Sequence, residues 1–118
     1  MKHALKTLAT TLMAGLLMTG CANQSKPLYY WGSYQPQVYE YFKGDGSSTE
    51  AQIIALEAEM EKARASDAKL PPGYHGHLAM LYSKVGRMEQ AKQEFELEKT
   101  LYPESASFID YLMRNFNK

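Results

Sequence analysis

Cysteine is almost absent from this sequence: Cys21 is the only one among 118 residues. A single thiol excludes an internal disulfide, so the folded part must be stable through packing alone. Long hydrophobic runs are also missing. The longest uncharged, mostly apolar stretch covers residues 7–19, and a membrane-spanning helix needs roughly 20 such residues. The sequence therefore predicts neither a disulfide scaffold nor a spanning helix.

Excess positive charge is the next absence. Without residues 1–20 the chain has eleven basic and thirteen acidic side chains, a formal charge of −2. Proteins that bind nucleic acid through its phosphates usually carry a basic patch or stripe, and none is visible here. We therefore expect no nucleic-acid partner.

Residue clusters that carry catalysis or bind metal are scarce too. His75 and His77 are two positions apart, which on a helix turns their side chains about 200° from each other, so they cannot share one ion. Asp45 lies in a GDGSS loop that lacks the further oxygen ligands of a calcium site. No serine has a nucleophile-elbow motif. The sequence predicts no metal, no cofactor and no enzymatic activity.

The first residues have the anatomy of a secretory signal peptide. Lys2 and Lys6 form a positive start, followed by the short apolar stretch 7–19. The ending Met18-Thr19-Gly20-Cys21 resembles a bacterial lipobox. That resemblance implies cleavage between Gly20 and Cys21, a diacylglyceryl group on the Cys21 thiol and acylation of the new amine. Ala22 follows where an aspartate would imply inner-membrane retention, so the implied location is the outer membrane, lipid-anchored on the periplasmic side.

Composition divides the chain into four parts. Residues 1–20 are the predicted lipoprotein signal peptide and 21–27 a lipidated tether. Residues 28–43 form an aromatic segment, in which Pro36 favours a helix start and a turn or two over 37–42, and residues 44–118 form a helical domain. The six residues of the tether after the cysteine, 22–27, span at most roughly 20 Å, at about 3.3–3.6 Å per residue. The folded part is therefore expected close to the membrane.

Helical spacing dominates the chain after residue 44, and no segment there alternates with period two. Ser47 and Glu50 have capping-box spacing before a helix over 49–66. After Pro71-Pro72-Gly73, a second helix leads to Gly86, a third covers about 88–101, and a fourth covers 104–116. The predicted fold class is all-α, with about four helices.

Residues 72–105 resemble one tetratricopeptide repeat, a helix–turn–helix unit of about 34 residues. The matching positions are Leu78, Ala79, Tyr82, Gly86, Ala91, Phe95, Leu101 and Pro103. Two residues depart from the pattern: His75 replaces an aromatic residue, and Glu98 replaces a small alanine. A single repeat cannot bury its own faces, so the helices before and after it are expected to pack on its two sides.

The whole pattern resembles a family of small bacterial lipoproteins of unknown function that are similar to tetratricopeptide proteins. The residues that carry this resemblance are the lipobox, YYWGSYQPQVYEYF, PPGYHGHLAMLY and FELEKTLYPESASFIDYL. The family often accompanies a lipoprotein of the curli-secretion-channel type. The resemblance therefore implies membership of an envelope assembly, with that channel-type lipoprotein among the possible partners.

Half of the chain's fourteen aromatic side chains lie in residues 28–42. They allow three interpretations: packing against the repeat, docking of a partner, or contact with lipid headgroups or glycan. Packing is favoured, because a short solenoid leaves an edge to be covered. Docking remains open, since Trp and Tyr anchor many interfaces. The candidate partner-binding residues are Tyr30, Trp31 and Tyr34, with Met80 and Lys84 on the first helix of the repeat.

Taken together, the sequence predicts an accessory or interaction subunit of an envelope complex, held to the outer membrane by lipid. One alternative is a regulator of a cell-wall synthase that docks through the same surface. A further alternative, from another class, is a glycan-binding protein or an envelope enzyme that uses the aromatic cluster.

Overall fold

A computed structural model describes Met1, His3, residues 25–44 and residues 48–116 of the chain. Within these ranges it contains five α-helices and no strand, so the all-α prediction is confirmed. The helices are α1 (Tyr34–Lys43), α2 (Thr49–Ala65), α3 (Tyr74–Lys84), α4 (Met88–Leu101) and α5 (Ala106–Phe116), with a 3-10 turn at Pro103–Ser105 before α5. None of the described helices is long and apolar enough to cross a bilayer. Gly20 and Cys21, the predicted cleavage and lipidation site, lie outside the described residues.

Helices α3 and α4 form a hairpin at the centre of the fold. Gly86 turns the chain between them in the left-handed conformation, with φ at 78°, which glycine adopts without the steric cost of a Cβ. The N–H of Arg87 then bonds to the carbonyl of Tyr82 at 2.9 Å. Leu78, Phe95 and their neighbours fill the core of the hairpin. The predicted hairpin is confirmed, whereas its kinship with tetratricopeptide repeats stays a prediction.

Helices α2 and α5 flank the hairpin. Ile53 and Leu56 of α2 are buried in the common core, and the hydroxyl of Tyr74 on α3 donates to the carbonyl of Leu56 at 2.7 Å. On the other side Ile109 of α5 is buried against Gly76 of α3, where an added Cβ would lie only 3.1 Å from the Ile109 Cδ1. The sequence prediction that these two helices complete the short array agrees with this packing.

The start of α2 differs by one residue from the prediction. Ser48 is the N-cap, and its Oγ accepts a hydrogen bond from the N–H of Ala51 at 3.0 Å. Ser47, which the capping-box spacing had favoured, lies outside the described residues. Ser48, the next residue, caps the helix in its place. A helix N-terminus leaves backbone N–H groups unpaired, and a serine side chain can accept a hydrogen bond from one of them.

Helix α1 is longer than the sequence predicted. A turn or two was expected over 37–42, and the structure has ten residues, Tyr34–Lys43. Pro36 lies in the first turn, where its missing N–H leaves no bond unmade. Tyr34, Val38 and Tyr41 follow one another at intervals of four and three residues, which is the spacing of one helix face. That spacing was a usable signal for the full helix.

Candidate functional site

The inner face of α1 packs its rings against α3. The ring of Tyr34 lies 5.1 Å from that of Tyr74 and 6.0 Å from that of His77, measured between centroids. Tyr41 meets His77 edge-on at 5.2 Å, and the Nζ of Lys84 lies 4.3 Å from the centroid of Tyr41. Burial, with a smaller contribution from the charge of Glu98, raises the pKa of Tyr34 to about 12. Tyr34 and Lys84, two of the predicted partner-binding residues, therefore make contacts within the chain that join α1 to α3.

Two more of the predicted partner-binding residues are also engaged within the chain. The hydroxyl of Tyr30 donates to Oε2 of Glu59 at 2.5 Å, and its backbone N–H bonds to the carbonyl of Lys69 at 2.7 Å. The hydrogen bond raises the pKa of the Tyr30 phenol and lowers that of the Glu59 carboxyl. Met80 is half-buried against the common core. Among the five candidates, Trp31 alone presents a large ring to solvent, 43% exposed.

The outer face of α1, defined here by Gln35, Tyr39 and Phe42, carries two further exposed rings. Tyr39 is 61% exposed and Phe42 76%. The Nζ of Lys43 lies 5.7 Å from the centroid of the Tyr39 ring. Sequence reasoning treated residues 28–42 as one aromatic segment. The helix divides them, since Tyr34 and Tyr41 point inward while Tyr39 and Phe42 point outward.

A groove of about 470 Å³ runs between α2 and α4. Its walls are mainly apolar, and His75 of α3 and Glu94 of α4 add a polar pair. The Nδ1 of His75 lies 2.6 Å from Oε2 of Glu94, and both side chains are largely buried. The lining residues are Leu28, Tyr29, Met60, Ala63, Arg64, Ala68, Lys69, Leu70, His75, Glu94, Leu97, Leu101 and Tyr102. The volume lies in the range of ligand pockets.

The polar pair gives this groove a defined hydrogen-bonding chemistry. An ionised carboxylate can only accept, so Glu94 holds the proton of His75 on Nδ1 and leaves Nε2 as the second polar atom of the ring. His77, two residues on, contacts Tyr34 and Tyr41 instead. The described residues contain no group of three His, Cys, Asp or Glu side chains arranged to hold a metal ion. The groove can therefore hydrogen-bond a polar group on an otherwise apolar ligand.

Glu98 has a role that sequence reasoning missed. Its side chain is completely buried, and its carboxylate accepts hydrogen bonds from the N–H groups of Gly73, at 2.6 Å, and Gly76, at 3.3 Å. Ser105 adds a third, from its hydroxyl, at 3.3 Å. Gly73 precedes α3 and has no side chain to cap it. A carboxylate from the neighbouring helix therefore satisfies the N-terminus of α3, where negative charge is favoured. The departure at Glu98 is thus a capping device.

His77 is the other buried polar residue on α3. It is 3% exposed, and its Nε2 has no hydrogen-bond partner among the described residues. Burial, aided by the positive charge of Lys84, lowers the pKa of His77 to about 4. The ring is therefore neutral at ordinary pH and serves as packing surface for Tyr34 and Tyr41. Nothing in the sequence indicates that His75 and His77, which are only two positions apart, lie in different environments.

Comparison with known proteins identifies a family but no activity. No curated protein matches the chain, and no solved structure matches it. Residues 28–112 match a family described as a domain of unknown function, DUF4810. The matched range begins at the aromatic segment and extends through α1, α2, α3 and α4 into α5. Because this match covers well over half of the sequence, the chain belongs to the DUF4810 family.

Proposed function

We propose that this protein is an outer-membrane lipoprotein, anchored through Cys21 on the periplasmic side, that acts as an interaction or accessory subunit of an envelope complex. The groove between α2 and α4 is the observation that supports this role best. The proposal assigns no catalysis, metal or cofactor to the chain. It also includes two expectations that rest on resemblance. One is kinship with tetratricopeptide proteins, and the other is association with a lipoprotein of the curli-channel type.

The groove suits a short apolar segment of a partner protein. Leu97 and Leu101 of α4 are exposed along one wall, at 39% and 51%, and Met60 of α2 lies in the opposite wall. Exposed apolar side chains that line a concavity are typical of docking sites. With the His75 proton directed from Nδ1 to Glu94, the Nε2 atom of His75 and the carboxylate of Glu94 are both acceptors for a backbone N–H of the incoming segment. Hydrogen bonding of this kind fixes the orientation of a ligand.

Site-specific photocrosslinking in the native envelope tests the proposal. A photoreactive residue at position 101, in the groove, is expected to capture a partner that mass spectrometry identifies. The same residue at position 54 is the matched control, because Ile54 is an exposed apolar residue of α2 outside the groove lining. Equal capture at both positions would contradict docking in the groove. Specific capture of a cell-wall synthase at position 101 would support the regulator alternative, and capture of glycan alone would support the binding-protein alternative.

The anchor is tested separately. Wild-type protein is expected to incorporate labelled palmitate and to sediment with the outer membrane, whereas Cys21→Ser is expected to do neither. A Cys21→Ser protein that still carries label and stays with the outer membrane would refute the lipid attachment. That result would leave the groove prediction intact, because the crosslinking measurement does not depend on the lipid.

A further inference from the structure

The outer face of α1 presents a pair of large rings to solvent, although the Phe42 ring also meets the adjacent Tyr41 ring edge-on at 5.2 Å. Tyr39 and Phe42 are three positions apart on a helix, so they lie on the same side, and they are 61% and 76% exposed. Each ring of this kind buries roughly 150–250 Å² when it finds a partner surface. Since Tyr34 and Tyr41 already attach α1 to α3, the outer rings are not needed for that attachment.

The position of α1 in the chain restricts what these rings can meet. Cys21 precedes Leu28 by seven residues, a span of at most about 25 Å at 3.3–3.6 Å per residue. Backbone and side-chain hydrogen bonds then hold Tyr30 to the folded domain, four residues before α1 begins. A lipid on Cys21 would therefore keep Tyr30 and the start of α1 close to the bilayer.

The charge distribution favours the same orientation. Residues 21–47 carry two basic side chains, Lys26 and Lys43, and two acidic ones, Glu40 and Asp45, whereas residues 48–118 carry nine basic and eleven acidic side chains. Anionic lipid headgroups therefore repel the part of the chain after residue 48 and not the neutral part that contains α1. Lys43, beside the Tyr39 ring, adds an ammonium group at the edge of the aromatic pair. Tyrosine and basic side chains together are typical of the membrane interface.

We propose that the outer face of α1 lies in the headgroup region of the bilayer that holds the lipid anchor, with Tyr39 and Phe42 inserted at the interface. This inference rests on the proposed lipid anchor. It assigns the partner of this face as a lipid surface rather than a protein. The contact would fix the orientation of the helical domain and leave the groove between α2 and α4 as the protein-binding site.

The single tryptophan of the chain makes the proposal testable. Mature, lipidated protein is reconstituted into vesicles of phosphatidylethanolamine and phosphatidylglycerol that contain lipids brominated near the top of the acyl chains. Two variants with Trp31→Phe carry the tryptophan elsewhere, one through Phe42→Trp and the other through Phe108→Trp. Phe108 on α5 is the matched control, since it is also an exposed phenylalanine, 60% exposed. Circular dichroism first verifies that both variants retain the helical fold.

We expect tryptophan at position 42 to lose about twofold more fluorescence to the brominated lipid than tryptophan at position 108, and to shift its emission to shorter wavelength, because it lies at the interface. Replacing phosphatidylglycerol with phosphatidylcholine should weaken this difference. Equal quenching at positions 42 and 108 in vesicle-anchored protein would overturn the inference and leave the lipid anchor standing. Protection of position 42 by a captured protein partner, with no quenching, would also overturn it. Absence of palmitate from the mature chain would remove both the anchor and the inference.

Discussion

Glu98 accepts a hydrogen bond from the backbone N–H of Gly73 across 25 positions of sequence, at 2.6 Å. The bond joins the last turns of α4 to the first turn of α3. It places a buried carboxylate where the unpaired N–H groups of α3 converge. Backbone N–H groups, instead of water, then donate the hydrogen bonds that the carboxylate accepts. One side chain thereby caps one helix while it packs from another.

Removing this cap should destabilise the fold. We expect Glu98→Ala to lower the free energy of unfolding by about 2–3 kcal/mol, because buried N–H groups lose a charge-assisted partner. Glu98→Gln retains one acceptor oxygen and should cost less. Glu96→Ala is the control, since Glu96 is an exposed residue of the same helix that pairs with Lys99 at the surface. Urea denaturation measures all three; a Glu98→Ala protein as stable as Glu96→Ala would refute the capping role.

Local features of this fold could be predicted from the sequence, and long-range ones could not. The bounds of α4 and the turn at Gly86 follow from spacing and breakers within the segment itself. The role of Glu98 could not be inferred, because its partners lie on a different helix. The different environments of His75 and His77 could not be inferred for the same reason, because they depend on other helices. Glu94 of α4 meets the His75 ring, and Tyr41 of α1 meets the His77 ring.

The neutral state of His77 predicts a dependence of stability on pH. Its pKa is about 4 in the fold and near the ordinary value of 6.5 in the unfolded chain, so the unfolded state binds its proton first as the pH falls. The stabilisation is complete above pH 6.5 and is lost progressively toward pH 4, by about 3 kcal/mol in total. Tyr34, Tyr41 and Lys84 face the ring.

His77→Phe isolates this contribution, because it keeps an aromatic ring and removes the titration. The variant keeps every other titratable side chain of the wild type, so the difference in unfolding free energy between the two proteins is the quantity to follow from pH 7.5 to pH 4. We expect wild type to lose stability relative to the variant over this interval. Parallel curves for the two proteins would contradict a buried neutral His77.

Gly32 and Gly44 allow the destabilisation caused by backbone strain to be separated from that caused by a steric clash. Both have left-handed backbone, with φ at 44° and 68°. A Cβ on Gly32 would lie 2.3 Å from Oε2 of Glu59, whereas one on Gly44 would meet no atom of the described part of the chain within 4 Å. Gly44→Ala should cost about 1 kcal/mol, from backbone strain alone. Gly32→Ala should cost clearly more, because it also displaces the carboxylate that binds Tyr30.

Thermal unfolding of both alanine variants provides the comparison. Equal losses would show that Glu59 moves aside freely. In that case its hydrogen bond with Tyr30 would contribute little to the attachment of the aromatic segment.

Tyr34 and Trp31 should respond differently to truncation. Tyr34→Ala removes a ring packed on Tyr74 and His77, and we expect it to lower the free energy of unfolding by about 2–4 kcal/mol. Trp31→Ala removes a ring that is already 43% exposed and should cost less than half as much. Chemical denaturation followed by circular dichroism measures both. The reverse order would mean that Trp31, and not Tyr34, holds the segment to the core.

The two bonds of Tyr30 also determine how the domain would carry mechanical load. Its N–H is bonded to the loop before α3 and its hydroxyl to α2, and the ring of Tyr29 before it meets that of Tyr102 edge-on at 6.3 Å. Tension on the preceding chain therefore reaches the helical body at these two residues, and helix α1, which comes later in the chain, is bypassed. Pulling on the tether would strain the contacts of Tyr29 and Tyr30 before it could separate α1 from α3, and the rupture force would depend on these two tyrosines.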